Sequence, residues 1–293
     1  MTVPGSSPWR AAEARRLLDF GVASRDDVGG FAWLDESGRP DRSAPRGLWI
    51  TCRMTHVYAM AHLAEADPAR AQVWAELAGH GIRALTGQFT DADHGGWFAA
   101  LAPDGSVASG RKEAYGHAFV LLAASSGVAA GVPGAADLLA DAQAVFLQRF
   151  WREDEGAAVE SYAADWSDLE DYRGVNANMH TVEAFTAVGD VTGDPAWRER
   201  AARIGDRVVR LAADNSWRLP EHFAGDWTPL PAYNTDRRHD QFRPYGSTPG
   251  HWFEWARLLL ALEAGGVGST SGFADAARGL YAAGREVGWG GDG

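Results

Sequence analysis

His180 and His251 are each followed three residues later by a glutamate, and each pair lies in a predicted helix. His251 and Glu254 come directly after a Pro/Gly-rich loop, and His180 and Glu183 come shortly after Asn176. Residues three apart share one face of a helix, so each pair offers an imidazole and a carboxylate on the same side. Because imidazole changes its charge near neutral pH, we predict proton transfer with His251 and His180 as the catalytic groups.

His251 lies in the predicted first turn of its helix, directly after Pro249 and Gly250. Backbone N–H groups at a helix start can bind substrate oxygens. The positive end of the helix dipole also disfavours the charged imidazolium. We therefore expect a lowered pKa for His251 and a neutral ring, as a general base requires.

The repeated histidine–glutamate spacing has a metal-binding alternative. Such pairs on two facing helices can ligate a metal ion, usually with further carboxylate ligands from other helices. The sequence does not identify those further ligands, and we predict no metal. Glycine-rich nucleotide loops and a serine nucleophile elbow are also not found, so no cofactor is predicted.

Aromatic and basic residues provide candidates for substrate binding. Trp49 and Arg53 are four residues apart and share a helix face, and Tyr115 opens another helix. The planar guanidinium of Arg53 could bind a hydroxyl or an anionic group, or it could pair with Glu183 or Glu254. The 13 Trp residues fit both core packing and a pocket that stacks on sugar rings. Isolated histidines such as His62, His80 and His117 are more typical of structural positions.

Composition excludes several classes of function. The 293 residues carry a formal net charge of -12, which disfavours nucleic acid and anionic membranes as partners. Cys52 is the single cysteine, so no intramolecular disulfide can form. The polar start of the chain is unlike a signal peptide, and no apolar run approaches the roughly 18 residues of a membrane span. These features predict a cytoplasmic protein.

Hairpin-like turns divide the chain into repeated units. Segments 27–38 and 93–105 each combine a Gly-Gly pair with an Asp/Ser-Gly turn, and weaker copies follow at 155–166, 217–227 and 288–293. They recur about every 60 to 70 residues, which is typical of a repeat architecture. Amphipathic helices are predicted between them, at 11–22, 48–65, 68–86, 113–124, 135–150, 178–192, 195–213, 250–263 and 271–287.

The polar and aromatic candidates lie on alternate helices of this repeat. Helices that alternate in this way can face a common centre, with plainer helices such as 135–150 outside them. We therefore predict an all-α fold of the α/α toroid type, formed by one domain that spans residues 1–293.

Three segments together resemble the N-acylglucosamine 2-epimerase superfamily. They are residues 48–54, 176–180 and 249–255, and they occur in the order and helix-pair rhythm of that family. The resemblance covers nearly the whole chain and is greatest to the bacterial mannose isomerase and sulfoquinovose isomerase branch.

The resemblance implies an (α/α)6 barrel with a central pocket. It implies an aldose–ketose isomerase that acts on a free monosaccharide, mannose-like or sulfoquinovose-like, through a cis-enediol, or alternatively a sugar 2-epimerase. His251 would be one of two acid/base histidines. Residues expected in the pocket by resemblance are Arg53, Tyr115, Asn176, His180, Trp252 and Glu254, with Arg238 or Arg243 at the far end of the sugar.

The chain also departs from the family pattern. Six helix pairs need twelve helices, whereas the sequence predicts nine, and the family's second catalytic histidine has no counterpart after His251. We expect a barrel that is incomplete at its C-terminus. An open ring would leave apolar faces exposed, which favours association into a homo-oligomer.

Two further functions fit the same fold. A glycosidase on an α/α toroid needs two carboxylates about 5 to 10 Å apart, and Asp226 and Glu254 are the candidates for them. A shortened barrel could also survive as a non-catalytic sugar-binding protein. The expected partner in each case is a small sugar.

Overall fold

The computed structural model describes residues 3–267 and 272–289. Helices dominate this part of the chain, and the sheets are short. The α-helices are α1 Ser7–Gly21, α2 Leu48–Ala64, α3 Pro68–Thr86, α4 Ala114–Ala129, α5 Ala135–Val145, α6 Val175–Thr192, α7 Pro195–Ala213, α8 Pro249–Ala264 and α9 Phe273–Gly288. A π-helical turn, Phe146–Phe150, extends α5, and a 3-10 turn, Val22–Ser24, follows α1.

The strands are two or three residues long and pair antiparallel. They are β1 Trp33–Leu34, β2 Pro40–Asp41, β3 Arg46–Gly47, β4 Ala100–Leu101, β5 Val107–Ser109, β6 Lys112–Glu113, β7 Trp151–Arg152, β8 Ala157–Ala158, β9 Ser161–Tyr162, β10 Arg173–Gly174 and β11 His222–Phe223. The sheets have the orders β1–β2, β3–β4–β5, β6–β9, β7–β8 and β10–β11.

Aspartates fix the starts of helices and the turns of hairpins. The Asp67 carboxylate accepts the Ala69 N–H (2.9 Å) at the start of α3, and Asp194 caps α7 in the same way. In the β1–β2 turn, Asp35 accepts the N–H groups of Ser37 and Arg39 at 2.9 Å each. Local hydrogen bonds of this kind give the short Asp-Pro and Asp-Gly signals of the sequence their structural effect.

The chain folds into two compact units. The first unit comprises residues 1–111 and 123–142, and the second comprises residues 112–122 and 143–293. The single domain expected from the sequence stays a prediction.

The first unit has its core between α2 and α3. Tyr58 stacks on Trp74 with ring centroids 5.6 Å apart, and Phe31 lies at 5.8 Å from Tyr58. His80 is buried beside Phe31, and its ring nitrogen donates to the carbonyl of Gly30 at 2.8 Å. These contacts indicate a structural role for His80 in the core of the first unit.

In the second unit, α6 packs against α7 and α8 against α9, and α6 also contacts α8. Short strands lead directly into α6 and into the part of α4 that belongs to this unit, since β10 precedes α6 and β6 precedes α4. Pairing of β6 with β9 and of β10 with β11 holds the first turns of these helices in place. Tyr115 and Asn176 lie in those first turns.

None of the helices described here is both long and apolar enough to cross a membrane.

Candidate active site

His251 lies in the first turn of α8 and contacts a buried carboxylate. Its Nδ1 is 3.0 Å from Oε2 of Glu221, whose side chain is 3% exposed, whereas the His251 side chain is 22% exposed. A carboxylate accepts hydrogen bonds, so Nδ1 carries the proton and the lone pair of the neutral ring lies on Nε2. Nε2 is the atom that a base uses to accept a proton.

Two carboxylates determine the charge preference of His251. Burial lowers the pKa of His251, but the hydrogen bond from Nδ1 to Glu221 and the negative charges of Glu221 and Glu254 raise it more. The net pKa is above the ordinary value for histidine. The lowered pKa expected from the helix start is therefore wrong, because a direct hydrogen bond to a buried carboxylate outweighs the helix dipole.

His180 has a second carboxylate partner on its own helix. Its Nδ1 is 3.1 Å from Oε2 of Glu183, one turn further along α6. The ring is buried between two aromatic side chains, with centroids 5.2 Å from Tyr115 and 4.6 Å from Phe119. The same tautomer argument places the lone pair of neutral His180 on Nε2.

A charged cluster connects α6 and α8. Arg257 contacts Glu183 at 3.1 Å and Glu254 at 3.8 Å, and one ligand atom each from His180, Glu183 and Glu254 lie within 4.8 Å of one another. Burial raises the pKa of Glu183. The hydrogen bond from His180 and the contacts with Arg257 lower this pKa by more than burial raises it, so the net pKa is below the ordinary value for glutamate. Three such groups could hold a metal ion, but Arg257 already provides the cation that these carboxylates need.

Tyr115 lies against the His180 ring, Asn176 lies four residues before His180 on α6, and both contact Phe242 on the loop before α8. Asn176 donates from Nδ2 to the carbonyl of Phe242 at 3.3 Å, and the rings of Tyr115 and Phe242 are 5.5 Å apart. Phe242 is 37% exposed. Polar and aromatic groups therefore occur together on this side of His180.

Arg243, predicted to reach the sugar, is bonded to protein groups. It donates to both oxygens of Glu170 at 2.6 and 3.0 Å, to Glu160 at 3.2 Å and to the hydroxyl of Tyr233 at 3.0 Å. Burial and the charge of Glu170 raise the pKa of Glu160 to about 7, against the lowering effects of Arg243 and the Gly174 N–H.

The other two predicted residues of this region lie apart from these networks. Arg238 is exposed, with its guanidinium 4.8 Å from the centre of the Tyr245 ring. Trp252 is 2% exposed and donates its indole N–H to the carbonyl of Leu219 at 3.0 Å. Sugar binding by Arg238, Arg243 and Trp252 stays a prediction.

Trp49 and Arg53 belong to α2 in the first unit. The Arg53 guanidinium is 5.7 Å from the centre of the Trp49 ring, which meets Trp33 edge-on at 5.6 Å. The predicted shared helix face is therefore present. Their role in binding stays a prediction.

Glu221 was not among the residues singled out from the sequence. It lies 30 positions before His251, and no periodic pattern links the two. Its contact depends on β10 pairing with β11, which brings the chain before His222 to the start of α6. Only the observed strand pairing identifies this residue.

Comparison with known proteins establishes the relationship that these contacts indicate. The sequence profile of the N-acylglucosamine 2-epimerase (GlcNAc 2-epimerase) family matches residues 29–293. The chain belongs to this family. The predicted superfamily is thereby confirmed.

Individual family members are highly similar to the chain. It is 52% identical to a D-mannose isomerase of Thermobifida fusca over 97% of its own length and 69% of the relative. It is 48% identical to a D-mannose isomerase of Pseudomonas cannabina pv. alisalensis over 99% of its length and 69% of the relative. A crystal structure of a D-mannose isomerase superposes with a TM-score of 0.88 at 27% identity, covering 97% of the chain and 72% of that structure.

These likenesses confirm the helical fold class of the (α/α) barrel proteins and the enzyme class of sugar isomerases and epimerases. The likeness to a sulfoquinovose isomerase stays a prediction.

Proposed function

We propose that the chain is an aldose–ketose isomerase that converts the free monosaccharide D-mannose to D-fructose. The proposal is supported by 52% and 48% identity to two D-mannose isomerases. Its chemical support is independent of those names and comes from the two histidines.

The observation that carries the proposal is the arrangement of His251 and His180. Each donates Nδ1–H to a carboxylate, at 3.0 and 3.1 Å, and each therefore has Nε2 available as base or, once protonated, as acid. They lie on α8 and α6, two helices in contact with each other. Aldose–ketose isomerisation needs such groups, because protons must leave and join both carbon and oxygen.

In the proposed reaction, His251 Nε2 accepts the proton from C2 of the open-chain aldose. The C–H electron pair forms the C1=C2 bond, the C1=O1 π pair moves to O1, and the His180 imidazolium gives its Nε2 proton to O1, which yields a cis-enediol. Neutral His180 then takes the proton of O2, the C2=O2 carbonyl forms, and His251 returns its proton to C1, so that both histidines regain their starting states. One imidazole can serve both carbons because C1 and C2 lie side by side on one face of the planar intermediate.

The remaining groups stabilise charge and bind hydroxyls. Protonated His180 can donate from Nε2 to the oxygen that becomes negative, which is the electrostatic stabilisation that an enediolate requires. Asn176 and Tyr115 offer an amide, a hydroxyl and an aromatic face to the sugar. In this division, His251 transfers protons at C1 and C2 of the sugar, and His180 transfers protons at O1 and O2.

A neutral sugar fits the charges of the second unit better than a sulfonated one. The positive charge of Arg243 is shared by Glu160 and Glu170, and that of Arg257 by Glu183 and Glu254. A sulfonate would have to compete with these carboxylates for either guanidinium. This balance favours a mannose-like substrate.

A glycosidase needs a carboxylic acid that keeps its proton near neutral pH. Asp226, one of the two carboxylates considered for hydrolysis, has a lowered pKa because Thr228 donates hydrogen bonds to it. It is therefore a poor proton donor, and the same holds for Glu183 beside Glu254, because His180 and Arg257 stabilise its charged form. Both lowered pKa values disfavour hydrolysis.

The cytoplasmic location and the homo-oligomer expected from the sequence remain predictions.

The test is an NMR assay of the purified chain with D-mannose. We expect D-fructose as the product; D-glucose alone would indicate a 2-epimerase. Binding in calorimetry without turnover would indicate a sugar-binding protein, and release of a reducing end from a mannose disaccharide would indicate hydrolysis. Each of these three outcomes would contradict the proposed isomerase.

A further inference from the structure

Glu221 connects the starts of the two helices that carry the histidines. Its Oε2 accepts from His251 Nδ1 at 3.0 Å, and its Oε1 accepts the backbone N–H of Thr248, directly before α8, at 3.3 Å. Its backbone carbonyl accepts the N–H of Val175, the first residue of α6, at 3.2 Å. The residue is 4% exposed, so these bonds form away from bulk water.

We propose that Glu221 is the positioning residue of the reaction: it fixes His251 in the tautomer and orientation that leave Nε2 free to exchange a proton with the sugar. The inference rests on the proposed function for its catalytic meaning. Glu221 does not itself touch the reacting atoms.

The geometry favours this role over a general structural one. A residue needed only to cap α8 would use one carboxylate oxygen on the backbone and leave the histidine to solvent. Glu221 instead uses one oxygen on the backbone N–H of Thr248 and the other on the His251 ring, so that two bonds restrain the orientation of the carboxylate. The ring therefore faces a fixed acceptor.

The neighbouring residue holds the loop independently. His222 contacts the carbonyl of Pro244 through Nε2 at 2.7 Å and the hydroxyl of Tyr172 through Nδ1 at 2.6 Å. The segment between β11 and α8 therefore keeps its hydrogen bond from His222 to Pro244 when the charge of Glu221 is removed. For this reason, Glu221→Gln is expected to fold.

The charged groups that face His251 are Glu221, from the segment before β11, and Glu254, on α8 itself; both raise its pKa, and burial lowers it. Glu221→Gln removes one of the two charges, and its amide group can present either the oxygen or the NH2 to Nδ1. We expect the pKa of His251 to fall. When the glutamine NH2 donates to Nδ1, the neutral ring carries its proton on Nε2.

The experiment combines ring nitrogen NMR with kinetics. The protein is labelled with 15N-histidine, and the signal of His251 is assigned as the one missing in His251→Gln. We expect the His251 ring to be the Nδ1–H tautomer in the wild type. In Glu221→Gln, we expect a mixture of tautomers or the Nε2–H form. In kinetics, Glu221→Gln is expected to lower kcat for D-mannose about 10- to 100-fold with little change in KM, by analogy with other residues that orient a histidine. The acid limb of its pH–rate profile is expected at lower pH.

Two variants serve as controls. Glu221→Asp keeps the charge and is expected to recover part of the rate, and Glu263→Gln changes an exposed glutamate of the same helix as His251 and is expected to change nothing. An unchanged tautomer and acid limb in Glu221→Gln, with only a lower thermal midpoint, would overturn the proposal. If the wild type does not convert mannose, the proposed function fails, whereas the NMR result still decides whether Glu221 fixes the ring.

Discussion

At the scale of single residues, the same spacing in the sequence gives two different contacts. His180 pairs with the glutamate three residues later, as a shared helix face predicts. His251 has the same spacing to Glu254 but bonds to Glu221. The spacing places two side chains on one side of a helix, but buried groups from other elements compete for the hydrogen bond. The spacing therefore predicts the hydrogen-bond partner of His180 and not that of His251, and the catalytic roles of both histidines stay predictions.

Arg243 provides a prediction that separates a structural from a binding role. Arg243→Met leaves Glu160 and Glu170 without their shared cation, and we expect a loss of about 2 to 3 kcal/mol of stability, below the ~3 to 5 of a fully buried pair. The pKa of Glu160, already raised to about 7, would rise further. Because its folded pKa exceeds its unfolded value, the loss should deepen as pH increases from about 5 to 8. Denaturant unfolding at these two pH values measures it.

The double variant Arg243→Met with Glu160→Gln is the control for this prediction. Glutamine removes one of the two carboxylate charges that Arg243 contacts, so we expect part of the stability to return. An Arg243→Met chain with unchanged stability but a strongly increased KM for D-mannose would instead assign Arg243 to sugar binding.

At the scale of elements, helix bounds were predictable where a local signal exists. Residues 68–86 and 195–213 match α3 and α7 because Asp-Pro fixes their starts. The predicted start at 178 is three residues late, since β10–β11 pairing positions the start of α6 at Val175. The helix predicted over 135–150 ends in a π-helical turn, which periodicity alone does not show. Residue 271 of the predicted 271–287 helix and residues 290–293 of the predicted hairpin lie outside the described residues, whereas Gly288 is the last residue of α9.

Close contact between α2 and α3 provides a prediction at this scale. A Cβ on Gly81 would overlap Oγ1 of Thr55, whose hydroxyl donates to the Thr51 carbonyl. We expect Gly81→Ala to destabilise the chain by about 1 to 3 kcal/mol through overpacking. Thermal unfolding followed by circular dichroism measures the change.

The matched control is Gly79→Ala on the same helix. Its new Cβ would meet chiefly the flexible end of Arg83 at 3.2 Å, and alanine is the better helix former by about 1 kcal/mol. We expect neutral or increased stability. Equal thermal midpoints for the two variants would show that the observed α2–α3 packing is wrong.

At the scale of the whole molecule, buried neutral histidines make stability depend on pH. Burial lowers the pKa values of His80, His117 and His222, that of His117 to about 3. The unfolded chain therefore binds more protons below about pH 6.5, and stability falls as pH falls. His251, with its raised pKa, has the opposite effect, because its contribution is lost as pH rises. We expect a lower thermal midpoint at pH 5 than at pH 7.5.

His117 should contribute most to this effect, since its Nδ1 donates to the Glu113 carbonyl and its ring packs on Phe150. His117→Gln is expected to reduce the difference between the two midpoints, and His94→Gln, at a half-exposed position, is expected to leave it unchanged. A thermal midpoint that does not vary between pH 5 and 7.5 would contradict this account.

The central claim, that His251 moves the proton of the sugar, is tested most directly by solvent exchange. D-mannose is incubated with the chain in D2O, deuterium at C1 of the fructose formed and at C2 of the remaining mannose is measured by NMR, and calorimetry checks that each variant still binds mannose. We predict deuterium incorporation by the wild type and by His94→Ala, and loss of both exchange and turnover in His251→Ala with binding retained. Exchange at the wild-type rate in His251→Ala would contradict the account.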